Sequence, residues 1–86
     1  MEELRDLKNL GNTIINNLNK IGITSVKELS EVGAVGVYKE ITSRYPEKTW
    51  PVCYYLYSIE GALTNKHWDD IGERKKQQLL EAVGKA

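Results

Sequence analysis

The stretch LKNLGNTIINNLNKIGITSVKEL, Leu7–Leu29, decides the fold. Ile14, Ile15, Leu18 and Ile21 recur three and four residues apart, so a helix through them carries one apolar face. Gly22 follows the last apolar position, where a left-handed C-terminal cap is expected. Thr24 or Ser25 can cap the next helix, and Ser25 with Glu28 three residues on fits a capping box. Val26 and Leu29 face inward on that helix, which is predicted to stop near Val32. In the other direction, Leu4 and Leu7 suit one or two helical turns over Glu2–Lys8, and Asn9, Leu10, Gly11 and Asn12 break them.

The remaining chain continues in the same style. Gly33, Ala34, Val35 and Gly36 form a second small-residue corner. A helix through Val37, Tyr38 and Ile41 runs to about Tyr45 and ends before Pro46, because the residue preceding proline disfavours helical geometry. Thr49 is the expected N-cap of the longest helix, with Pro51 in its first turn. Val52, Leu56, Ile59 and Leu63 line one face of it, joined by Tyr55. Leu63–Asp70 reads as a turn, and Glu73–Val83 as a last helix facing inward with Leu79, Leu80 and Val83. No strand pattern survives beside the helical spacing. The predicted fold is all-α, a compact bundle of five or six short helices in a single domain over residues 1–86.

Composition narrows the function. A chain of 86 residues is one domain with a thin core, burying about 60–65% of its unfolded surface. Lys plus Arg and Asp plus Glu are 12 each, which argues against a strongly basic nucleic-acid binder and leaves room for a local patch. Cys53 has no second cysteine to pair with, which suits a reducing, cytoplasmic setting. Nothing basic flanks its thiol closely, so a packed thiol is expected and not a redox sensor. Met1-Glu2-Glu3 does not open a signal peptide, and no apolar run reaches the roughly 18–20 residues of a membrane span, so no membrane partner is expected.

The quoted stretch, within a segment spanning residues 4–30, resembles a helix-hairpin-helix. In that motif Leu10 plugs the gap between two helices, and Gly11 supplies a backbone shape that a side chain resists. Asn9 stands where the motif has its first glycine, and asparagine tolerates positive φ. The amides of the hairpin and of the following helix then form a phosphate-sized anion site that reads no sequence. The candidate nucleic-acid contacts are Asn9, Leu10, Gly11, Asn12 and Thr13. Residues 1–31 hold Arg5, Lys8, Lys20 and Lys27 against Glu2, Glu3, Asp6, Glu28 and Glu31, so any DNA binding is expected to be weak and non-specific.

A second resemblance covers nearly the whole chain. Leu7-Lys8-Asn9-Leu10-Gly11, Ile21 through Leu29, Val32-Gly33-Ala34-Val35, Glu60-Gly61-Ala62-Leu63, His67-Trp68 and Glu73-Arg74-Lys75 fall in the order and spacing of the C-terminal domain of TfoX-type (Sxy) competence regulators. The resemblance implies an all-helical domain that starts as a helix-hairpin-helix, and a setting in bacterial regulation of DNA-uptake genes. Full-length members carry a further N-terminal domain, so this chain is expected to be a stand-alone copy of the C-terminal module. No catalytic residue is carried over from the family.

Other residues complete the reading. Gly61 inside a helix costs about 1 kcal/mol relative to alanine, so it is expected to admit a close neighbour such as Trp68. His67 with Asp69 and Asp70 lacks metal-ligand spacing, so these residues are expected to make and cap a turn around the core anchor Trp68. Lys66, Arg74, Lys75 and Lys76 form the densest basic cluster and a candidate electrostatic patch. Trp50, Tyr54 and Tyr57 form a candidate aromatic surface for a protein partner, a second copy of the chain or base stacking. No nucleophile–base pair, metal set or phosphate loop occurs, so neither an enzyme nor a cofactor nor a small-molecule substrate is expected. The leading function is a non-catalytic module that touches nucleic acid at the hairpin. The alternative is a protein-interaction module in which the hairpin is purely structural.

Overall fold

The computed structural model describes residues 3–84, without the side chain of Cys53. The expectations for Met1, Glu2 and the Cys53 thiol lie outside the described residues. Four α-helices carry the fold: α1 (Asn12–Lys20), α2 (Val26–Arg44), α3 (Ser58–Thr64) and α4 (Glu73–Ala82). Single 3₁₀ turns stand at Leu4–Asp6 and Trp68–Asp70, and a π-helical segment at Cys53–Tyr57 leads directly into α3. No strand occurs among the described residues.

The quoted stretch folds much as its pattern predicts. Ile14 and Leu18 are the buried face of α1. Gly22 adopts φ 87°. Its amide donates to the Asn19 carbonyl at 3.0 Å, and the Ile23 amide to the Leu18 carbonyl at 2.9 Å. Those two bonds are a Schellman cap, closed by two buried residues, Leu18 and Ile23. Ser25 Oγ accepts the Glu28 amide at 3.1 Å. Glu28 Oε1 reaches one residue further back than a standard capping box and accepts the Thr24 amide and hydroxyl, each at 2.9 Å. Thr24 and Ser25 thus share the start of α2.

The spacing predicts a helix before the hairpin; the structure has one 3₁₀ turn there, with Leu4 buried. The spacing also predicts two helices separated by a corner over Gly33–Gly36. The structure has a single element, α2, whose only non-helical residue is Gly33 at φ 77°, ψ 166°. That conformation is essentially restricted to glycine, so one residue turns the chain where four are predicted to.

The central helix differs most. Its first helical residue is Val52, directly after Pro51, with no cap at Thr49. Tyr55, Leu56, Tyr57, Ser58 and Ile59 are all buried in succession. A π segment adds about one residue per turn, and packing against α2, α4 and the Trp68–Asp70 turn buries most of the helix's circumference and leaves Tyr54 outside. A one-faced pattern therefore underestimates it. Each fully buried Leu or Ile here contributes about 1.5–3 kcal/mol.

Two aromatic hydrogen bonds fasten the loop between α2 and the π segment. Tyr38 Oη donates to the Trp50 carbonyl at 2.6 Å, and Trp50 Nε1 donates to the Tyr45 carbonyl at 3.0 Å. Leu79 is the buried anchor of α4, with Leu80 and Val83 half-buried beside it.

Candidate nucleic-acid interface

The hairpin splits into an inward and an outward half. Asn9 has φ 71°. Its Nδ2 donates to the carbonyls of Lys66 at 2.9 Å and Ser58 at 3.3 Å, while its Oδ1 accepts the Trp68 amide at 3.2 Å. Asn9 is thus a clasp across the molecule, and its side chain is engaged internally. Leu10 is buried, but it follows a single 3₁₀ turn and so does not fill a gap between two helices. Gly11, Asn12 and Thr13 are exposed. Gly11 is the N-cap of α1, and no side chain caps that helix.

Gly11 corrects one expectation. Its φ of −92° and ψ of 177° are extended backbone that any residue adopts. A Cβ there would meet nothing within 4 Å. The conformational demand of the hairpin falls on Asn9, and Gly11 contributes open space in front of the first amides of α1.

The outer side of α1 continues this surface with exposed Asn16, Asn19 and Lys20. Residues 7–27 contain Lys8, Lys20 and Lys27 and no acidic residue at all. This feature is visible in the sequence, but a balance struck over residues 1–31 conceals it. Three of the five carboxylates in that wider window have partners: Glu3 pairs with Arg5 at 2.6 Å, Asp6 accepts the Glu3 amide at 3.0 Å, and Glu28 caps α2. Amides and hydroxyls on such a surface can donate to phosphate oxygens beside the lysines.

The other predicted sites fare differently. Lys76 Nζ lies 2.8 Å from Asp69 Oδ1 and 3.7 Å from Glu73 Oε1, with its side chain only 13% exposed. It also sits over the rings of Trp68 and Tyr57, 5.5 and 5.6 Å from their centroids. The hydrogen bond from Lys76 holds the Asp69 carboxyl below its usual range, and the same bond raises the Lys76 ammonium. Lys75 faces Glu60 at 3.7 Å. Lys66 and Arg74 remain exposed. The four residues therefore do not make a uniform cationic patch, because carboxylates from the Trp68–Asp70 turn and α3 are folded among them.

The aromatic surface is also corrected. Trp50 is 9% and Tyr57 7% exposed, whereas Tyr54 is 55% exposed. The loop's hydrogen bonds with Tyr38 and Tyr45 hold Trp50 in, and packing around the π segment buries Tyr57. His67 caps the turn after it, its Nδ1 accepting the Asp69 amide at 3.3 Å, and Trp68 is half-buried. Gly61 behaves as predicted: a Cβ there would lie 2.6 Å from both Asn9 Nδ2 and the Lys66 carbonyl, and 3.3 Å from Trp68 Cα. Among the described residues no three His, Cys, Asp or Glu side chains converge as a metal site. No helix among them is long and apolar enough to cross a membrane.

An all-helical domain whose N-terminal loop is clasped through Asn9 to Ser58, Lys66 and Trp68 is thereby defined. The chain belongs to the TfoX C-terminal domain family, matched over residues 1–83. It is 34% identical over 80 residues to the DNA transformation protein TfoX1 of Aliivibrio fischeri, a match covering 93% of this chain and 37% of that protein. The chain thus spans little more than a third of that relative's length. Two crystal structures from Listeria monocytogenes share the fold. One, of an uncharacterized protein in a triclinic form, has a TM-score of 0.80 at 28% identity and covers 96% of both chains. The other, of a protein of unknown function in a tetragonal form, has a TM-score of 0.78 at 29% identity and covers 92% of this chain and 94% of that one.

Proposed function

We propose that this domain is a non-catalytic module that binds nucleic acid weakly and without reading sequence, through Gly11, Asn12, Thr13 and the outer side of α1. The single observation that supports this is the run of residues 7–27, which exposes lysines and amides and holds no carboxylate. Backbone phosphates are the ligand that such a surface suits, and phosphate contacts supply most of the affinity of non-specific binding. The relative's name as a DNA transformation protein supports reading such a module as part of competence. The alternative protein-interaction face keeps just Tyr54 of its three aromatics at the surface.

The test is fluorescence anisotropy with labelled duplex and single-stranded DNA at low and near-physiological salt. The expected result is affinity that falls steeply with salt and is lost in Gly11→Glu. That variant should fold, because the position has extended backbone and open space. No binding at low salt with protein at high micromolar concentration refutes the proposal.

A further inference from the structure

Resting on that reading, we infer that the preferred ligand is single-stranded nucleic acid, with a base stacked on Tyr54 and the phosphate backbone running along α1 past Lys20. Among the described residues Tyr54 is the most exposed of the large hydrophobic side chains. Its ring is held in place and does not simply dangle. It packs edge-on against Tyr55, with centroids 5.9 Å apart and planes at 76°. Tyr55 packs edge-on against Trp50 at 5.1 Å, and Trp50 is tilted against Tyr45 at 6.1 Å. Tyr54 is therefore the outer member of a series of four rings, and more than half of its surface is exposed. A ring already ordered by its neighbours loses little freedom when a base lands on it.

The same series ties the ring to α1. Asn17 Nδ2 donates to Tyr55 Oη at 2.7 Å. On a helix surface the neighbours of Asn17 include Thr13 and Lys20, four residues before it and three after. Both are exposed. The aromatic platform and the side of α1 that carries Thr13 and Lys20 thus adjoin at the Asn17–Tyr55 bond.

A duplex shows its phosphates to such a surface but keeps its base faces stacked inside. A single strand offers both, and proteins that hold single strands without sequence preference combine a cationic track with an aromatic platform in this way. Tyr54 gains a contact only in the second case. Binding to duplex rests on α1 and the hairpin alone.

Anisotropy titrations of labelled oligo-dT and of a blunt duplex of equal length, at low salt, test this with the intact chain, Tyr54→Ala and Tyr54→Phe. The intact chain should prefer oligo-dT. Tyr54→Ala should weaken oligo-dT binding about tenfold, the loss expected for one stacked base. It should leave duplex binding unchanged, and Tyr54→Phe should retain oligo-dT affinity. Circular dichroism and thermal unfolding establish that both variants fold. Oligo-dT affinity unaltered by Tyr54→Ala, with duplex still bound, overturns the stacking inference and leaves the phosphate reading standing. A parallel loss of duplex and oligo-dT binding in a folded Tyr54→Ala also overturns it. Absence of binding to either probe by the intact chain overturns both.

Discussion

Asn9 and Gly61 meet because glycine puts no side chain between them. The Asn9 amide passes over Gly61 to donate to the Lys66 carbonyl 57 residues away, and a methyl group on Gly61 would sit 2.6 Å from both partners. The contact joins the hairpin to the end of α3, where Asn65 at φ 58° ends the helix and the Lys66 amide returns to the Gly61 carbonyl at 2.7 Å. That cap holds the backbone of Lys66 close to Gly61, so an added methyl group meets main chain as well as the Asn9 amide.

Gly61→Ala should therefore destabilise the domain by about 1–3 kcal/mol, the usual cost of overpacking. An exposed helical Gly→Ala change would instead stabilise by about 1 kcal/mol. Urea unfolding of the variant reads the sign directly.

Asn9→Gly and Asn9→Ala both remove the clasp and leave the Trp68 amide and two carbonyls without it. Each should lose about 1–3 kcal/mol. Asn9→Ala should be worse than Asn9→Gly by about 1 kcal/mol, because φ of 71° burdens alanine and not glycine. Equal unfolding midpoints for the two variants would contradict the backbone account.

Gly33 and Gly11 should respond oppositely to substitution. Gly33→Ala forces a side chain into φ 77°, ψ 166° and should cost about 1–3 kcal/mol. Gly11→Ser places a capping hydroxyl at an unstrained N-cap and should stabilise by about 0.5 kcal/mol. Thermal unfolding of the pair separates the glycine that bends α2 from the glycine that merely leaves room.

Acid should weaken the fold through two carboxyls. The bonds from Thr24, and then Ser25, hold Glu28 below its ordinary 4.5, and Lys76 holds Asp69 below its ordinary 3.8. The unfolded chain then binds more protons than the folded one. The stability these groups contribute is complete above their ordinary values and drains away as pH falls through the lowered ones. Unfolding midpoints from pH 7 to pH 3 should show that decline, and Glu28→Gln should have a shallower one.

Lys20→Gln should weaken binding to duplex and reduce the dependence of log K on log salt by roughly one, the signature of one lost phosphate contact. Lys76→Gln should leave that slope unchanged and lower stability, because Lys76 is held by Asp69, Glu73 and two rings. An unchanged slope in Lys20→Gln would remove α1 from the interface.

Local signals within about six residues of one another are what the sequence alone determined. Leu18, Gly22 and Ile23 specify the end of α1, and Ser25 and Glu28 the start of α2, because caps and helical faces depend on near neighbours and on backbone angles that few residues adopt. Gly61 was legible too, since an unfavourable residue inside a helix signals close approach. The absence of acid over residues 7–27 was equally open to inspection.

Tertiary structure decided whatever depended on distant partners. It turned Asn9 inward toward Ser58, Lys66 and Trp68, and it folded Asp69 and Glu73 around Lys76. It also buried Trp50 and Tyr57 while leaving Tyr54 outside. Helical periodicity assumes one buried face and a regular turn. A central helix buried over most of its circumference and entered through a π segment satisfies neither condition, so the side of it that meets solvent is set by what packs around it.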